Sequence, residues 1–177
     1  MTAWKSAEIT PSAARLTESL RDIGYDFPAA VADIVDNSVT AGASHVDVTV
    51  EFAGEESYVV ISDDGDGMTG NGLLEALRYG SRRAYGRSDL GRYGLGLKTA
   101  SLSQCRSVTV VTCRRSAPGN VNVRTLDLDL IAEYDEWLVV EPVMVPVIER
   151  SAERLAAEPG TVVIWRKLDR EIGRAHV

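Results

Sequence analysis

The stretch of sequence that does most to set the fold is Asp33-Ile-Val-Asp-Asn-Ser-Val-Thr-Ala-Gly-Ala43. Apolar residues recur at helical spacing before and within it, and Gly42 ends the pattern, which predicts a helix over about 28–41. Positions i and i+4 share one face, so Asp33 and Asn37 lie one above the other. A carboxylate beside a carboxamide can polarise a water molecule and ligate a hard cation. The alternative to such a site is that Asp33 and Asn37 are simply two solvated polar residues.

The next segment predicts a β-hairpin. Residues 45–52 alternate polar and apolar side chains without a break, as in a half-buried strand. A turn at 53–56 follows, and Tyr58-Val-Val-Ile61 is the more buried returning strand.

An acidic, glycine-containing turn, Ser62-Asp-Asp-Gly-Asp-Gly-Met68, comes directly after that strand. Asp63, at the strand end, could accept a hydrogen bond from an exocyclic amine. Gly65 and Gly67 would let a flat ligand approach the backbone. A calcium loop fails on spacing, because no glutamate closes a twelve-residue loop. A plain acidic turn remains the alternative.

A glycine run, Gly91-Arg-Tyr-Gly-Leu-Gly-Leu-Lys98, leads into a short helix predicted over 97–103. Backbone amides at a helix N-terminus preceded by glycines suit a phosphate group. The order of the glycines excludes the dinucleotide fingerprint. Leu97, between Gly96 and Lys98, excludes the P-loop. By itself the glycine run is a weak indicator of a phosphate-binding site.

Composition narrows the class of protein. The 177 residues, 45% apolar and 25% charged, are typical of one soluble globular domain. A net charge of −7 argues against autonomous nucleic-acid binding but leaves room for a local basic patch. The apolar runs are too short for a membrane helix, and no secretory signal follows Met1. Cys105 and Cys113 are too few for a disulfide framework, so we expect reduced thiols and a cytoplasmic location.

The order of elements predicts an α+β fold. Helices, a hairpin, more helices and then mostly strands do not give βαβ alternation, which favours a mixed, largely antiparallel sheet with helices on one face. The remaining expected helices are 11–20, 69–79 and 152–158, and the remaining expected strands are 107–113, 121–130, 137–140 and 161–168.

Taken together, the motifs resemble the GHKL ATPases, which include DNA gyrase B, ninety-kilodalton heat-shock chaperones, sensor histidine kinases, MutL and the MORC proteins. The resemblance covers roughly residues 11–168, and a late Gly160-Thr161 on a strand belongs to it. The stretches 33–43 and 90–101 look most like the MutL and MORC branch. The resemblance implies a Bergerat-type two-layer α/β sandwich, an ATP-binding domain over 1–170 and a lid over about 80–95.

The resemblance also implies roles for individual residues. Asn37 would hold Mg²⁺, and Asp63 would accept the adenine amino group with Thr161 supporting the same edge through water. The glycine run would offer amides to the phosphates, with Lys98 near them. The implied nucleotide-binding residues are Asn37, Asp63, Gly65, Gly67, Met68, Gly91, Arg92, Tyr93, Gly94, Leu95, Gly96, Leu97, Lys98 and Thr161.

One departure affects the expected activity. The family's general base is usually glutamate, and Asp33 stands at that position. Aspartate is one methylene shorter, and a misplacement of roughly 1 Å can cost on the order of 10²-fold in rate. We expect MgATP hydrolysis to ADP and phosphate, with lid closure coupled to conformational change or dimerisation. A non-hydrolytic ATP-dependent interaction module is the alternative, and a histidine-kinase-type protein kinase ranks below both.

The C-terminal residues 171–177 are expected to be foreign. Glu171-Ile-Gly-Arg-Ala-His-Val177 can be back-translated into the start of a widely used sequencing adapter. On this hypothesis the chain is a C-terminally truncated fragment. The missing region would then carry a DNA or protein partner site and support an ATP-dependent homodimer.

Overall fold

The computed structural model describes residues 9–22, 25–79 and 96–169. The lid expected over about 80–95 and the tail over 171–177 lie outside these ranges. The described helices are α1 (Ala13–Arg21), α2 (Phe27–Thr40), α3 (Gly70–Leu77), α4 (Gly96–Gln104), α5 (Leu128–Tyr134) and α6 (Pro146–Ala157). The described strands are β1 (Val46–Glu51), β2 (Tyr58–Asp63), β3 (Cys105–Cys113), β4 (Val121–Asp127) and β5 (Gly160–Leu168), with a 3₁₀ turn at Gly54–Glu56.

Side-chain caps explain where helices α2 and α3 begin. The Asp26 side chain accepts a hydrogen bond from the Ala29 amide, and Pro28 lies in the first turn of α2. Thr69 caps α3 in the same way by accepting from the Gly72 amide. These caps fix where α2 and α3 begin.

The sheet brings together strands that are far apart in the chain. Its order is β1-β2-β5-β3-β4, and all four pairings are antiparallel. The β1–β2 pair is the predicted hairpin. Because β5 lies between β2 and β3, Thr161 sits opposite Asp63 on one side and opposite Thr112 on the other.

The two faces of the sheet are both covered. Val108 and Val110 of β3 belong to the main core, to which α1 to α5 all contribute. Val111 and Cys113 point to the opposite face, where α6 packs and forms a second cluster. The α+β class is confirmed, and five of the six described helices lie on one face as expected, with α6 added on the other.

Two expected strand segments differ in the structure. The segment 128–130 was predicted to end a strand over 121–130, but it is the start of α5. The Asp127 side chain caps this helix by accepting a hydrogen bond from the Asp129 amide. Residues 137–140 form no strand and make only a single bridge, between Thr125 and Val140.

Within the described ranges, no helix combines the length and the apolar character that crossing a membrane requires. Cys105 and Cys113 are buried free thiols, and burial raises the pKa of the Cys105 thiol.

Candidate functional site

A cavity of about 1110 Å³ opens between the sheet and the helices α2, α3 and α4. Its size suits a nucleotide-sized ligand. Predicted site residues on its wall are Asn37, Asp63, Gly67, Met68, Gly96, Leu97 and Thr161. The sheet order therefore gathers residues from four separate parts of the sequence around one space.

Asp63 is the most firmly held polar group at this wall. Its Oδ2 accepts from Ser38 Oγ at 2.8 Å, and its Oδ1 accepts from the amides of Gly65 at 2.9 Å and Thr161 at 3.2 Å. The side chain is only 8% exposed. A carboxylate has about four acceptor positions, so three donors leave one of them for a ligand. The arrangement fixes an acceptor that would match an exocyclic amine.

The acidic turn packs directly against the sheet. Gly67 has a φ of +63°, and a Cβ at this position would collide with the carbonyl oxygen of Cys113. Only glycine suits both the backbone angle and the close approach. A Cβ on Gly160 would likewise collide with the carbonyl oxygen of Asp63. Gly65, predicted as a ligand residue, contributes its amide to Asp63.

Thr161 is tied to the neighbouring strand by Thr112, which the sequence did not single out. The two hydroxyl oxygens lie 3.1 Å apart, and Thr112 Oγ1 also accepts from the Met68 amide at 2.8 Å. Thr112 is fully buried. One hydroxyl therefore joins the acidic turn to the strand that carries Thr161.

Asp33 and Asn37 share one face of α2 but have different surroundings. Asn37 is exposed and lines the cavity. Asp33 is half-buried, and its Oδ2 lies 4.0 Å from the position a Cβ on Gly96 would take, at the start of α4. A hydrogen bond from the Tyr25 phenol to the Asp33 carboxylate raises the pKa of Tyr25. A helix N-terminus favours a carboxylate at this place.

Lys98 lies on α4 and is turned toward α3. Its Nζ donates to the carbonyl oxygen of Ala76 at 2.8 Å and lies 5.8 Å from the centre of the Tyr79 ring. The side chain is 1% exposed, and this burial lowers the pKa of the ammonium group to about 8. The predicted contact of Lys98 with phosphates stays a prediction. Five further predicted residues, 91–95, lie outside the described ranges.

Sequence reasoning missed three residues that support the site: Ser38, Thr112 and Arg115. Arg115 donates to the carbonyl oxygen of Asp64 at 2.6 Å, and its own amide donates to the Asp66 carbonyl at 2.9 Å, which braces the acidic turn. No periodic pattern marks these residues. The only available signal was position, since Ser38 follows Asn37 directly and Arg115 follows the end of β3.

The donor set fits a magnesium ion that is held jointly with a phosphate-bearing ligand. Among the residues that the structure describes, no three His, Cys, Asp or Glu side chains group as a metal site. Mg²⁺ is usually bound through one or two protein oxygens together with substrate phosphates and water. Asn37 lines the cavity, where its amide oxygen could supply one such ligand atom.

Comparison with known proteins agrees with this geometry. Residues 25–158 match the family described as histidine kinase-, DNA gyrase B- and HSP90-like ATPase. The match spans most of the chain and includes the acidic turn, helices α2 to α4 and strands β1 to β4, and it ends just before β5. The chain belongs to this family. It is an ATP-binding ATPase module of the GHKL class.

Relatives in the MutL and MORC groups confirm the predicted branch. The chain is 38% identical over 92 residues to DNA mismatch repair protein MutL of Halobacterium salinarum, covering 49% of this chain and 14% of that protein. It is 34% identical over 98 residues to Protein MICRORCHIDIA 5 of Arabidopsis thaliana, covering 51% and 14%. Protein MICRORCHIDIA 3 of the same plant is 27% identical over 165 residues, covering 84% of this chain and 28% of that protein. The chain thus spans less than a third of each relative.

Proposed function

We propose that the chain binds MgATP in the cavity and hydrolyses it to ADP and phosphate. The observation that carries the proposal is the buried Asp63 carboxylate, held by three donors with one acceptor position left for a ligand. That position suits the adenine amino group and repels the carbonyl that guanine presents at the equivalent atom. Thr161, beside Asp63, supports the same edge.

The phosphates would extend from the base toward α2 and α4. Asn37 would supply one oxygen to Mg²⁺, and Gly96 and Leu97 would offer amides at the start of α4. Bound Mg²⁺ would neutralise charge on the phosphates. Closure of a lid over about 80–95, and its coupling to pairing of two copies or to a DNA or protein partner, stay predictions, because they concern parts outside the described residues.

For hydrolysis, Asp33 would orient the attacking water and accept its proton while the bond from the γ-phosphorus to the bridging oxygen breaks. The hydrogen bond from Tyr25 holds the carboxylate in one orientation. Its place beside Gly96 puts it next to the amides proposed for phosphate binding. Hydrolysis is expected to be slow, since a short side chain and a roughly 1 Å misplacement reduce rate on the order of 10²-fold.

A non-hydrolytic ATP-dependent interaction module is the second candidate. One observation favours it: Asp33 is hydrogen-bonded to Tyr25, and the described cavity wall includes Asn37 but not Asp33. In this alternative, ATP would act by closing the site, and the chain would release no phosphate.

Phosphate release and nucleotide binding, measured on the 177-residue chain and three variants, separate the two candidates. D33A should abolish phosphate release and leave ATP binding intact, because Asp33 lies beside the reacting end and not at the base. D36A is the matched control on the same helix, where Asp36 is exposed, and it should change neither quantity.

Equal phosphate release by D33A and wild type would remove Asp33 from the mechanism. Binding without any release by wild type would favour the interaction module. If D33E then releases phosphate, the short side chain of Asp33 is the reason why wild type does not.

A further inference from the structure

The Asp64 side chain ties the acidic turn to the connection between α2 and β1, residues 41–45. Its Oδ1 accepts hydrogen bonds from the amides of Ser44 at 2.7 Å and His45 at 2.8 Å. The bond from the His45 amide, above all, lowers the pKa of the Asp64 carboxyl. One carboxylate oxygen therefore joins two segments that lie twenty residues apart in the sequence.

Two further hydrogen bonds hold the backbone of the same turn. The Asp64 carbonyl oxygen accepts from Arg115 Nη2 at 2.6 Å, and the Asp66 amide donates to the Ala41 carbonyl oxygen at 2.9 Å. The turn is thus attached to the end of α2 on one side and to the residues after β3 on the other. Asp64 takes part in both attachments, through its side chain and through its carbonyl oxygen.

Asp64 lies between the two groups that form the acceptor at the cavity wall. Asp63, before it, accepts through Oδ1 from the amide of Gly65, after it, at 2.9 Å. The turn also lies close against the end of α2, because a Cβ on Gly65 would be 3.0 Å from the Ala41 carbonyl oxygen. If the tie through Asp64 were released, the Gly65 amide would no longer be held in place. Asp63 would then lose one of its three donors.

We propose that Asp64 is a positioning residue for nucleotide binding, which holds the acidic turn in the conformation in which Asp63 can receive the base. The inference rests on the proposed nucleotide site and deepens it. Asp64 would not touch the ligand, because it is not among the residues that line the described cavity and its carboxylate is bonded to the α2–β1 connection. Without the tie, only molecules whose turn keeps this conformation bind, and the apparent affinity falls in proportion.

Asp135, which follows α5, provides a matched control. Its Oδ1 also accepts two hydrogen bonds, from Ser12 Oγ at 2.7 Å and from the Ala14 amide at 3.0 Å. The bond from the Ala14 amide, above all, lowers the pKa of the Asp135 carboxyl. No described residue of α1 or α5 lines the cavity. D64A and D135A therefore each remove a carboxylate that accepts two hydrogen bonds, but only D64A does so beside the site.

The experiment measures the dissociation constant of MgADP, which is not consumed by hydrolysis, by calorimetry on the 177-residue chain. We expect D64A to weaken binding about tenfold, as when about one folded molecule in ten keeps the competent turn. D64N retains an oxygen that can accept from both amides, so its affinity should stay close to that of wild type. D135A should also bind MgADP as wild type does.

The direction of the effect separates hydrogen bonding from charge. Loss of a negative charge near the site would strengthen the binding of an anionic nucleotide. D64A and D64N both lose the charge of Asp64, whereas only D64A loses the acceptor oxygen. Urea unfolding without nucleotide establishes that the variants are folded. Should D64A not fold, D64S takes its place, because its side chain is too short to reach both amides, and binding should again weaken.

The outcomes separate this inference from the proposed function. If folded wild type does not bind MgADP, the proposed function fails, and the role of Asp64 fails with it. If wild type binds MgADP and D64A binds it equally well, the site stands and the role of Asp64 is refuted. Binding weakened to the same extent by D135A, or by D64N, would also refute that role.

Discussion

Replacing Gly67 by alanine tests the close packing of the acidic turn against β3. Two costs add up at this position. The positive φ disfavours a side chain by about 1 kcal/mol, and a Cβ forced into the Cys113 carbonyl oxygen adds about 2 kcal/mol of overpacking. The free energy of unfolding should therefore fall by about 3 kcal/mol, a large part of the stability of an ordinary domain.

Gly119 provides the control, because its φ is +80° and no atom lies within 4 Å of the Cβ position. G119A should cost only the backbone term, about 1 kcal/mol. With a urea m-value of about 2 kcal/mol/M, the midpoint should fall by about 1.5 M for G67A and about 0.5 M for G119A. Urea unfolding followed by circular dichroism measures both. Equal midpoint shifts in the two variants would refute the steric argument.

Two further predictions concern buried charge. Asp63→Asn keeps one oxygen for the Gly65 and Thr161 amides but replaces the other oxygen, an acceptor, by an amino donor. Calorimetry should therefore show the affinity for ATP lowered about 10- to 100-fold and the preference for ATP over GTP reduced. An unchanged affinity for ATP would remove Asp63 from base recognition. Burial lowers the pKa of Lys98 to about 8, so above that pH the unfolded chain binds more protons than the folded one and stability rises with pH. Urea midpoints should reflect a gain of about 2 kcal/mol from pH about 7.5 to about 9.5, absent in K98M; the same gain in K98M would contradict this assignment.

Local patterns predicted the elements that frame the site. Alternation marked β1, an apolar run after a turn marked β2, and a helical stripe closed by Gly42 marked α2. The pairing of Asp63 with Thr161 could not be derived from these patterns. It depends on the insertion of β5 between β2 and β3, which joins segments about a hundred residues apart. In the sequence, only the resemblance to the GHKL ATPases indicated that Asp63 and Thr161 contact the same ligand.

The misassigned segment has a physical explanation. Leu126, Leu128 and Leu130 alternate with polar residues, which is the strand period. The chain nevertheless turns helical at Leu128, where Asp127 supplies a cap and both Leu128 and Ile131 reach the core. Tertiary burial therefore decided between two periods that a short stretch satisfies equally.

The supporting hydroxyl groups were hidden for a different reason. Ser38 and Thr112 are ordinary residues in a helix and a strand, and their importance comes from what lies across the fold from them. A hydrogen bond between distant segments leaves no trace in local spacing. The acidic turn, whose residues are adjacent in sequence, was visible for the opposite reason.

The most direct test of the central claim is a calorimetric titration of the folded 177-residue chain with MgATP and, separately, with MgGTP. We expect saturable binding of one MgATP per chain and much weaker binding of MgGTP, because Asp63 offers an acceptor to the base. Binding of neither nucleotide by a chain shown to be folded, or equal binding of both, would contradict it.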